Sequence, residues 1–394
     1  MTVANGRRFL SIPGPTNVPD EVLAAMHRPA IDIYQGDLVE STTYCLDGLK
    51  KVFRTKGNTY IYIANGHGAW EAALTNVLSR GDKVLVLESG LFATGWGEMA
   101  SEMGIEVEVL PGDIRCAVDP AAVEQRLRQD RAGEIKAVLV VQVDTASSVV
   151  NDIPQIRAAI DAAGHDALFM VDAIASLGTM QFEMDQWNID VAVTGSQKGL
   201  MMTPGLSYVA ANPRALERHK SAGLVTRYWD WTFRDGELHY QKYCGTPPEH
   251  MLFGQAKALE MLLAEGLEAA WARHAILAGM VQAAVAKWAE AGALEFNISR
   301  AEQRADSVTT VLLDDHNPAA LLKMCKERCG VTVGITIGPL DGKGFRIAHM
   351  GHVNAPMVLG TLGVLEAGLG ALDIPHGSGG VQAATKALAA ALQP

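Results

Sequence analysis

The stretch Thr194-Gly195-Ser196-Gln197-Lys198-Gly199-Leu200-Met201 directly follows a short apolar strand, Asp190-Val191-Ala192-Val193. Similar runs rich in valine, isoleucine and leucine recur at residues 60–64, 83–87, 137–143, 168–171, 191–194 and 206–210. Helical patterns separate them at residues 68–78, 92–103, 120–129 and 153–163. Strands that read as continuous apolar runs are buried on both faces, so this alternation predicts an α/β domain with a mostly parallel sheet covered by helices.

Lys198 lies in a turn of small residues, and another predicted strand upstream ends in Asp172. A lysine after one strand and an aspartate at the end of another are what a pyridoxal 5′-phosphate (PLP) enzyme needs. The lysine forms a Schiff base with the cofactor, and the aspartate keeps the pyridine nitrogen protonated. A surface lysine after a strand would have the same local sequence, so the rest of the chain must decide between the two interpretations.

The composition excludes several function classes. The chain has 394 residues, 48% apolar and 20% charged, which is typical of a soluble enzyme of two or three domains. A net charge of −11 without a basic cluster argues against a nucleic-acid partner or an acidic membrane surface. No signal peptide or membrane span is recognised. Five scattered cysteines favour a reducing cytoplasm over a disulfide framework, and the isolated pair His349 and His352 is too sparse for a metal site.

The pattern changes along the chain and predicts three parts. Residues 1–17, rich in proline, form an extended arm, and residues 18–265 form the large domain. Residues 266–394 form a smaller α+β domain, and a long helical region at 253–291 runs across the boundary. In the small domain we expect strands at 294–298, 307–313 and 344–348 and helices at 318–328, 355–369 and 381–392.

Two features of the large domain are typical of a phosphate and ring site. Asn65-Gly66-His67-Gly68-Ala69 follows a strand and opens a helix, where backbone N–H groups and the helix dipole attract an anion. A tight strand–helix turn that binds no ligand would have the same sequence pattern. The absence of Gly-x-Gly-x-x-Gly and of a Walker motif argues against dinucleotides and nucleoside triphosphates. Phe92, after the next strand, could stack on a flat heterocycle or simply belong to the core.

Three further features could bind cofactor or substrate. Asp144-Thr145-Ala146-Ser147-Ser148 follows the strongest strand, where ligands bind in open α/β sheets; alternatively it is a polar loop that caps the following helix. Asp172 has apolar neighbours and needs a partner such as a pyridinium. Arg346 interrupts an apolar strand, where a guanidinium could bind a carboxylate through two hydrogen bonds or point to solvent.

The order of these features resembles the fold-type I PLP enzymes and, more closely, the class V aminotransferases of the serine–, alanine– and aspartate–glyoxylate branch. The resemblance runs over nearly the whole chain and implies an α/β fold with a mostly parallel seven-stranded sheet in the large domain. The motifs that carry it are Pro13-Gly14-Pro15-Thr16-Asn17-Val18-Pro19, Gly68-Ala69-Trp70-Glu71-Ala72-Ala73-Leu74, Val171-Asp172-Ala173-Ile174-Ala175-Ser176-Leu177-Gly178, Gly195-Ser196-Gln197-Lys198-Gly199-Leu200-Met201, Tyr228-Trp229-Asp230-Trp231 and Phe345-Arg346-Ile347-Ala348-His349-Met350-Gly351.

The resemblance also implies residue roles. Lys198 would form the Schiff base with PLP and remove the substrate's α-proton, and Asp172 would pair with the pyridinium nitrogen. Arg346 would bind the substrate α-carboxylate, with Gly14 closing the pocket. The other residues expected to bind the cofactor are Gly66, His67, Gly68, Phe92, Thr145, Ile174, Gln197 and, reaching the phosphate of the neighbouring subunit of a homodimer, Tyr243 and Thr246.

Two loops depart from the branch. It commonly shows Glu-Thr-Ser-Thr-Gly where this chain has residues 144–148, and His-Arg-Gly where this chain has Tyr34-Gln35-Gly36, with Tyr34 expected near the substrate. We therefore expect an intact cofactor site and an altered donor pocket. The leading hypothesis is ping-pong transamination from L-aspartate, or next L-serine, to glyoxylate, which yields glycine.

Three alternatives remain at this point. Pyridoxamine–pyruvate aminotransferase shares the Asp-Thr loop but differs in the phosphate loop. A cysteine desulfurase would need a histidine where Phe92 stands. A non-catalytic PLP-fold binding protein would be expected to lack Lys198 or Asp172, and both are present.

Overall fold

A computed structural model describes residues 2–393. The strands are β1 (Phe9–Ser11), β2 (Asn58–Tyr62), β3 (Lys83–Leu87), β4 (Glu106–Leu110), β5 (Ile135–Val141), β6 (Val143–Asp144), β7 (Val149–Val150), β8 (Leu168–Asp172), β9 (Val191–Gly195), β10 (Ser207–Ala211), β11 (Leu294–Phe296), β12 (Val308–Leu313), β13 (Val331–Ile335) and β14 (Gly344–Ala348). The helices are α1 (Asp20–Met26), α2 (Asp37–Phe53), α3 (Gly66–Val77), α4 (Leu91–Glu102), α5 (Pro120–Gln129), α6 (Ile153–Ala163), α7 (Pro213–His219), α8 (Trp231–Arg234), α9 (Glu249–Glu265), α10 (Leu267–Ala289), α11 (Pro318–Cys329), α12 (Ala355–Ala371) and α13 (Gly380–Ala391).

The large sheet has seven strands in the order β2-β10-β9-β8-β5-β3-β4, and β10 alone runs antiparallel to its neighbours. Helices cover both faces. In β5, Val138 and Val140 pack into one core cluster with α2, α6 and α9, whereas Ala137 and Leu139 pack into the other with α3 and α4. Burial on both faces is why these strands read as unbroken apolar runs, and the predicted α/β fold with a mostly parallel seven-stranded sheet is confirmed.

The second sheet has five strands in the order β1-β13-β14-β12-β11. Its apolar face packs against α10, α11, α12 and α13 around Phe345, Trp288 and Leu362. The N-terminal arm contributes β1, which pairs in parallel with β13. The sequence pattern gave no indication of β13, because its five residues, Val-Thr-Val-Gly-Ile, include a glycine and an exposed end at Ile335.

The long helical region predicted at 253–291 is two helices, α9 and α10. Gly266 separates them with a φ of 88°, a left-handed value that glycine adopts without steric cost and that ends α9. Apolar periodicity continues across this break because both helices bury a face, so the pattern alone reads as one helix. Among residues 2–393, no helix combines the length and hydropathy that crossing a bilayer requires.

The topology brings one set of loops to a single edge of the large sheet. Strands β2, β3, β5, β8 and β9 are parallel, so their carboxyl ends meet there. The helices α3 and α4 begin at this edge, with their N-termini directed towards it. Ligands of open α/β sheets bind at such an edge.

Candidate active site

A cavity of about 190 Å³ opens at the carboxyl edge of the large sheet. Its lining includes eight of the residues singled out from the sequence, namely Gly66, His67, Phe92, Thr145, Asp172, Ile174, Gln197 and Lys198. Larger and more open grooves lie elsewhere, one around Asp130, His165 and Arg214, but none of these eight residues lines them. The candidate site is therefore the cavity at the carboxyl ends of the strands, although larger grooves exist elsewhere on the surface.

Lys198 projects from the turn after β9 and is buried. Its Nζ donates a hydrogen bond to the Pro13 carbonyl of the N-terminal arm. Burial lowers the pKa of Lys198 to about 8, and the positive charge of Arg346 acts in the same direction, against the opposing effect of Asp172. At pH 7 about a tenth of this amine is therefore unprotonated, far more than for an exposed lysine, as a nucleophile or a proton acceptor requires.

Gly14 packs directly on this lysine. A Cβ at Gly14 would lie 2.6 Å from Lys198 Cε, and its φ of 97° is a value that side-chain-bearing residues seldom adopt. The arm continues across the turn, where the Thr16 hydroxyl donates to the Lys198 carbonyl at 3.2 Å. The arm thus covers the lysine and fixes the direction of its side chain.

Asp172 is the last residue of β8 and is buried. Its two oxygens accept hydrogen bonds from the Ile174 backbone N–H at 2.6 Å and from Trp70 Nε1 at 2.7 Å. Burial raises the pKa of Asp172 to about 7, although both hydrogen bonds favour the charged form. No ion pair to this carboxylate is present among residues 2–393. A buried carboxylate without a cation is costly, so its environment suits a cationic ligand such as a protonated pyridine ring.

Trp70 is the functional residue that the sequence analysis missed. It lies on α3 one turn after His67, with the two rings 4.7 Å apart, and 6.3 Å from Phe92, in both cases edge to face. It therefore joins the aromatic wall of the cavity and also donates to Asp172. The available signal was its spacing of three residues from His67, which directly precedes the helix predicted at 68–78. On a helix that begins at or before His67, this spacing places both side chains on the same face.

The start of α3 suits a phosphate. The Asn65 side chain caps the helix by accepting from the Gly68 N–H at 3.3 Å. At Gly66 a Cβ would collide with the Ile174 side chain. Gln197 Oε1 is buried at the cavity without a hydrogen-bond partner in the described chain. The Gln197 amide can turn to present either its oxygen or its NH2 group to a ligand. Together with the start of α3, it fits the phosphate of PLP.

The loop at 144–148 is buried: Thr145 lines the cavity, and Asp144 binds the start of α4. Asp144 is fully buried and accepts from the backbone N–H groups of Phe92 at 2.8 Å and Ala93 at 3.1 Å, so it caps α4. Burial raises the pKa of Asp144, and these N–H groups oppose the rise. Gly90 leaves room for the carboxylate, since a Cβ there would overlap it. The cap holds Phe92 at the cavity wall.

Arg346 lies on β14 and is buried rather than solvent-facing. Its Nε donates to the Ile335 carbonyl at 2.6 Å and Nη1 to the Thr145 carbonyl at 2.8 Å. Burial lowers the pKa of Arg346 to about 10, and no carboxylate forms an ion pair with it within residues 2–393. A buried guanidinium with only neutral partners favours an anionic ligand.

The remaining residues lie away from this cavity. Tyr34 is 70% exposed, and Thr246 is exposed as well. Tyr243 is buried, with its hydroxyl 2.8 Å from Thr42 Oγ1, which in turn lies 2.8 Å from His239 Nε2. Their roles towards a second subunit or the substrate stay predictions. In the described part of the chain, no three His, Cys, Asp or Glu side chains are grouped to hold a metal.

Comparison with known proteins yields consistent matches. Residues 8–339 match the family described as aminotransferase class-V. The chain is 37% identical to a serine–glyoxylate aminotransferase of Methylorubrum extorquens, over 95% of this chain and 94% of that protein. It is also 37% identical to an L-aspartate–glyoxylate aminotransferase of Paracoccus denitrificans, over 92% and 91%. The crystal structure of pyridoxamine–pyruvate aminotransferase from Mesorhizobium loti superposes with a TM-score of 0.88 at 28% identity, over 99% and 100%.

Proposed function

The chain belongs to the class V aminotransferases, whose cofactor is PLP, and from this membership we propose that it transfers the amino group of an L-amino acid to glyoxylate. One observation carries the proposal. Lys198 and Asp172 line the same cavity in a chain that is similar to two glyoxylate aminotransferases over more than nine-tenths of its length. The products would be glycine and the 2-keto acid of the donor.

The residues divide the chemistry between them. PLP, when bound, supplies the electron sink that makes the substrate's α-proton removable. Lys198 would hold the cofactor through Nζ, and its free amine would take up and return the proton at the substrate's α-carbon. Asp172 would keep the proton on the pyridine nitrogen, and its hydrogen bonds from Trp70 and Ile174 favour the charged form of the carboxylate.

Arg346 would bind the carboxylate that amino donors and glyoxylate have in common. Because one cation serves both substrates, they occupy the same site in turn, which is the structural basis of ping-pong kinetics. The first product must leave before glyoxylate enters. Phe92 would pack against one face of the ring, held by the cap from Asp144.

The phosphate would lie at the start of α3, between Gly66, His67, Gly68 and Gln197. We propose that Tyr243 and Thr246 of a second copy complete it in a homodimer with the active site at the subunit interface. All five cysteines are free thiols, which supports a place in the reducing cytoplasm.

The amino donor is the open part of the proposal. We favour L-aspartate and then L-serine, on the likeness to enzymes that carry these names. Pyridoxamine with pyruvate is the second candidate, supported by the superposition on the Mesorhizobium loti enzyme. The capped α3 start and the unpartnered Gln197 Oε1 favour a cofactor with its phosphate attached and therefore favour glyoxylate transamination.

A donor screen tests the proposal. Purified protein with PLP is incubated with glyoxylate and one amino acid at a time, and glycine is measured by mass spectrometry. A Lys198→Ala variant gives the background. The proposal predicts enzyme-dependent glycine from aspartate, serine or another L-amino acid. If none gives glycine while pyridoxamine and pyruvate give pyridoxal and alanine, the second candidate replaces it.

A further inference from the structure

The loop of residues 144–148, here called the clasp loop, is bound to the five-stranded sheet's domain along its length. The carbonyls of Thr145, Ala146, Ser147 and Ser148 accept hydrogen bonds from Arg346, Thr310, Asn297 and Ala305 respectively, at 2.8 to 3.4 Å. The Ser148 hydroxyl also pairs with the Thr310 hydroxyl. The clasp loop therefore joins the cofactor cavity on one side to Arg346 on the other.

Thr310 and Arg346 act on the clasp loop as a pair. They are directly opposite each other in the antiparallel register of β12 and β14. Side chains at opposite positions lie on the same face of a sheet, a few ångströms apart. Arg346 binds one end of the clasp loop, at Thr145, and Thr310 binds the other, at Ser148.

Ser148 has a backbone conformation that glycine would adopt more readily. Its φ is 65°, in the left-handed region that side-chain-bearing residues occupy at a cost. Both Ser148 and Thr310 are buried, so their hydroxyls have each other rather than water as partners. Stability of the turn alone would favour glycine at this position. The hydrogen bond of the Ser148 hydroxyl therefore accounts for a serine at this position.

The contacts of Arg346 connect this pair to substrate binding. A guanidinium has five N–H groups, and Arg346 uses one on Nε and one on Nη1 for the carbonyls of Ile335 and Thr145. These two carbonyls fix the plane of the group. The remaining N–H groups, on Nη1 and Nη2, can bind both oxygens of a carboxylate. The position of the Thr145 carbonyl depends on the clasp loop.

We propose that Ser148 and Thr310 are positioning residues that set the orientation of Arg346 and hence the affinity for substrate carboxylates. The inference rests on the proposed function, in which Arg346 binds the carboxylate of both substrates. A loosened clasp loop weakens carboxylate binding without changing the groups that handle the proton, Lys198 and Asp172. The effect therefore falls on KM, equally for donor and glyoxylate, and not on kcat.

Three variants test the pair. Thr310→Val keeps the shape and removes the hydroxyl, Thr310→Ser keeps the hydroxyl, and Ser148→Gly removes the hydroxyl while relieving the backbone. We expect Ser148→Gly, which removes one hydrogen bond, to raise KM for the donor and for glyoxylate by about fivefold. Thr310→Val, which also removes the bond to the Ala146 carbonyl, should raise both KM values at least as much. The inhibition constant of acetate, a carboxylate without an amino group, should rise by the same factor. The values of kcat and the PLP Kd should stay within about twofold, and Thr310→Ser should resemble the unmodified protein.

Thermal unfolding separates positioning from a purely structural role. Ser148→Gly should not lower Tm, because glycine relieves the left-handed backbone. The inference is overturned if KM stays unchanged in Thr310→Val and Ser148→Gly, or if kcat and Tm fall without a change in KM. The Arg346→Gln variant distinguishes failure of the Ser148–Thr310 positioning role from failure of the proposed function. If Arg346→Gln also leaves KM and acetate inhibition unchanged, Arg346 does not bind the carboxylate at all.

Discussion

Replacing Trp70 by phenylalanine should weaken PLP binding, because it removes the indole N–H that donates to Asp172 Oδ2 at 2.7 Å. A hydrogen bond to a charged acceptor contributes about 1.5–3 kcal/mol, which corresponds to roughly 10- to 100-fold in Kd. The bond favours the ionised carboxylate. Since the pKa of Asp172 is about 7 without a cationic ligand, part of this energy is already gained in the cofactor-free protein at neutral pH. We therefore expect the lower end, about a tenfold rise in the PLP Kd.

Trp96 provides a matched control. It stacks on Trp70 at a ring distance of 6.0 Å and is equally buried, but its Nε1 has no hydrogen-bond partner in the described chain. Trp96→Phe removes the same part of an indole without removing a bond to Asp172. Both variants should lose similar thermal stability, and only Trp70→Phe should bind PLP more weakly.

The assay is titration of cofactor-free protein with PLP, followed by absorbance and intrinsic fluorescence at several pH values. Loss of the Trp70 bond raises the pKa of Asp172 further, so the pH at which PLP binding reaches half its maximal strength should move upward in Trp70→Phe. Equal PLP Kd values for the Trp70→Phe and Trp96→Phe proteins would refute the assignment of Trp70 as a support of Asp172.

Three other predictions follow from the same geometry. Asp172→Asn should still bind PLP but lose about 10²- to 10⁴-fold in kcat, because removing one partner of a buried ion pair costs about 3–5 kcal/mol; a kcat within tenfold of the unmodified enzyme would contradict the role of Asp172. The rate of PLP capture by cofactor-free protein should rise up to about pH 8 and level off above it, since the neutral amine of Lys198 dominates only above its lowered pKa of about 8; a rate that still climbs steeply at pH 10 would indicate an ordinary lysine. Gly14→Ala should lower PLP occupancy, because its Cβ would lie 2.6 Å from Lys198 Cε and displace the lysine, whereas Gly6→Ala, also at positive φ but with open space around it, should not; equal PLP occupancy of the two variants, measured by absorbance, would argue against the contact.

The elements predicted best from the sequence are those with a regular apolar pattern and with capping residues close to their ends. The strand at 83–87 and the helices at 120–129 and 153–163 have the predicted bounds. Asp119 and Asp152 cap the two helices, with proline in the first turn of each. Such signals lie within a few residues of the feature they specify. The break at Gly266 was missed because the apolar pattern runs through it and only the backbone angle reveals it.

The candidate site was predictable where its chemistry is carried by residues at strand ends, such as Asp172 and Lys198. It was not predictable where two distant segments combine. Trp70 supports Asp172 from a separate helix, and Thr310 on the five-stranded sheet meets Ser148 in the loop after β6. A single sequence contains the residues of such pairs but no sign that they touch. Tyr34 is 70% exposed in the single chain, so its role towards the substrate stays a prediction.

The central claim is that Lys198 holds PLP covalently in this aminotransferase, and one measurement tests it most directly. Protein loaded with PLP is reduced with borohydride, digested, and mapped by tandem mass spectrometry, with Lys198→Arg treated in parallel. We expect one phosphopyridoxyl group per chain, on Lys198, and none in the Lys198→Arg protein. A label on another lysine, or an unlabelled Lys198 in protein that has bound PLP, would contradict it.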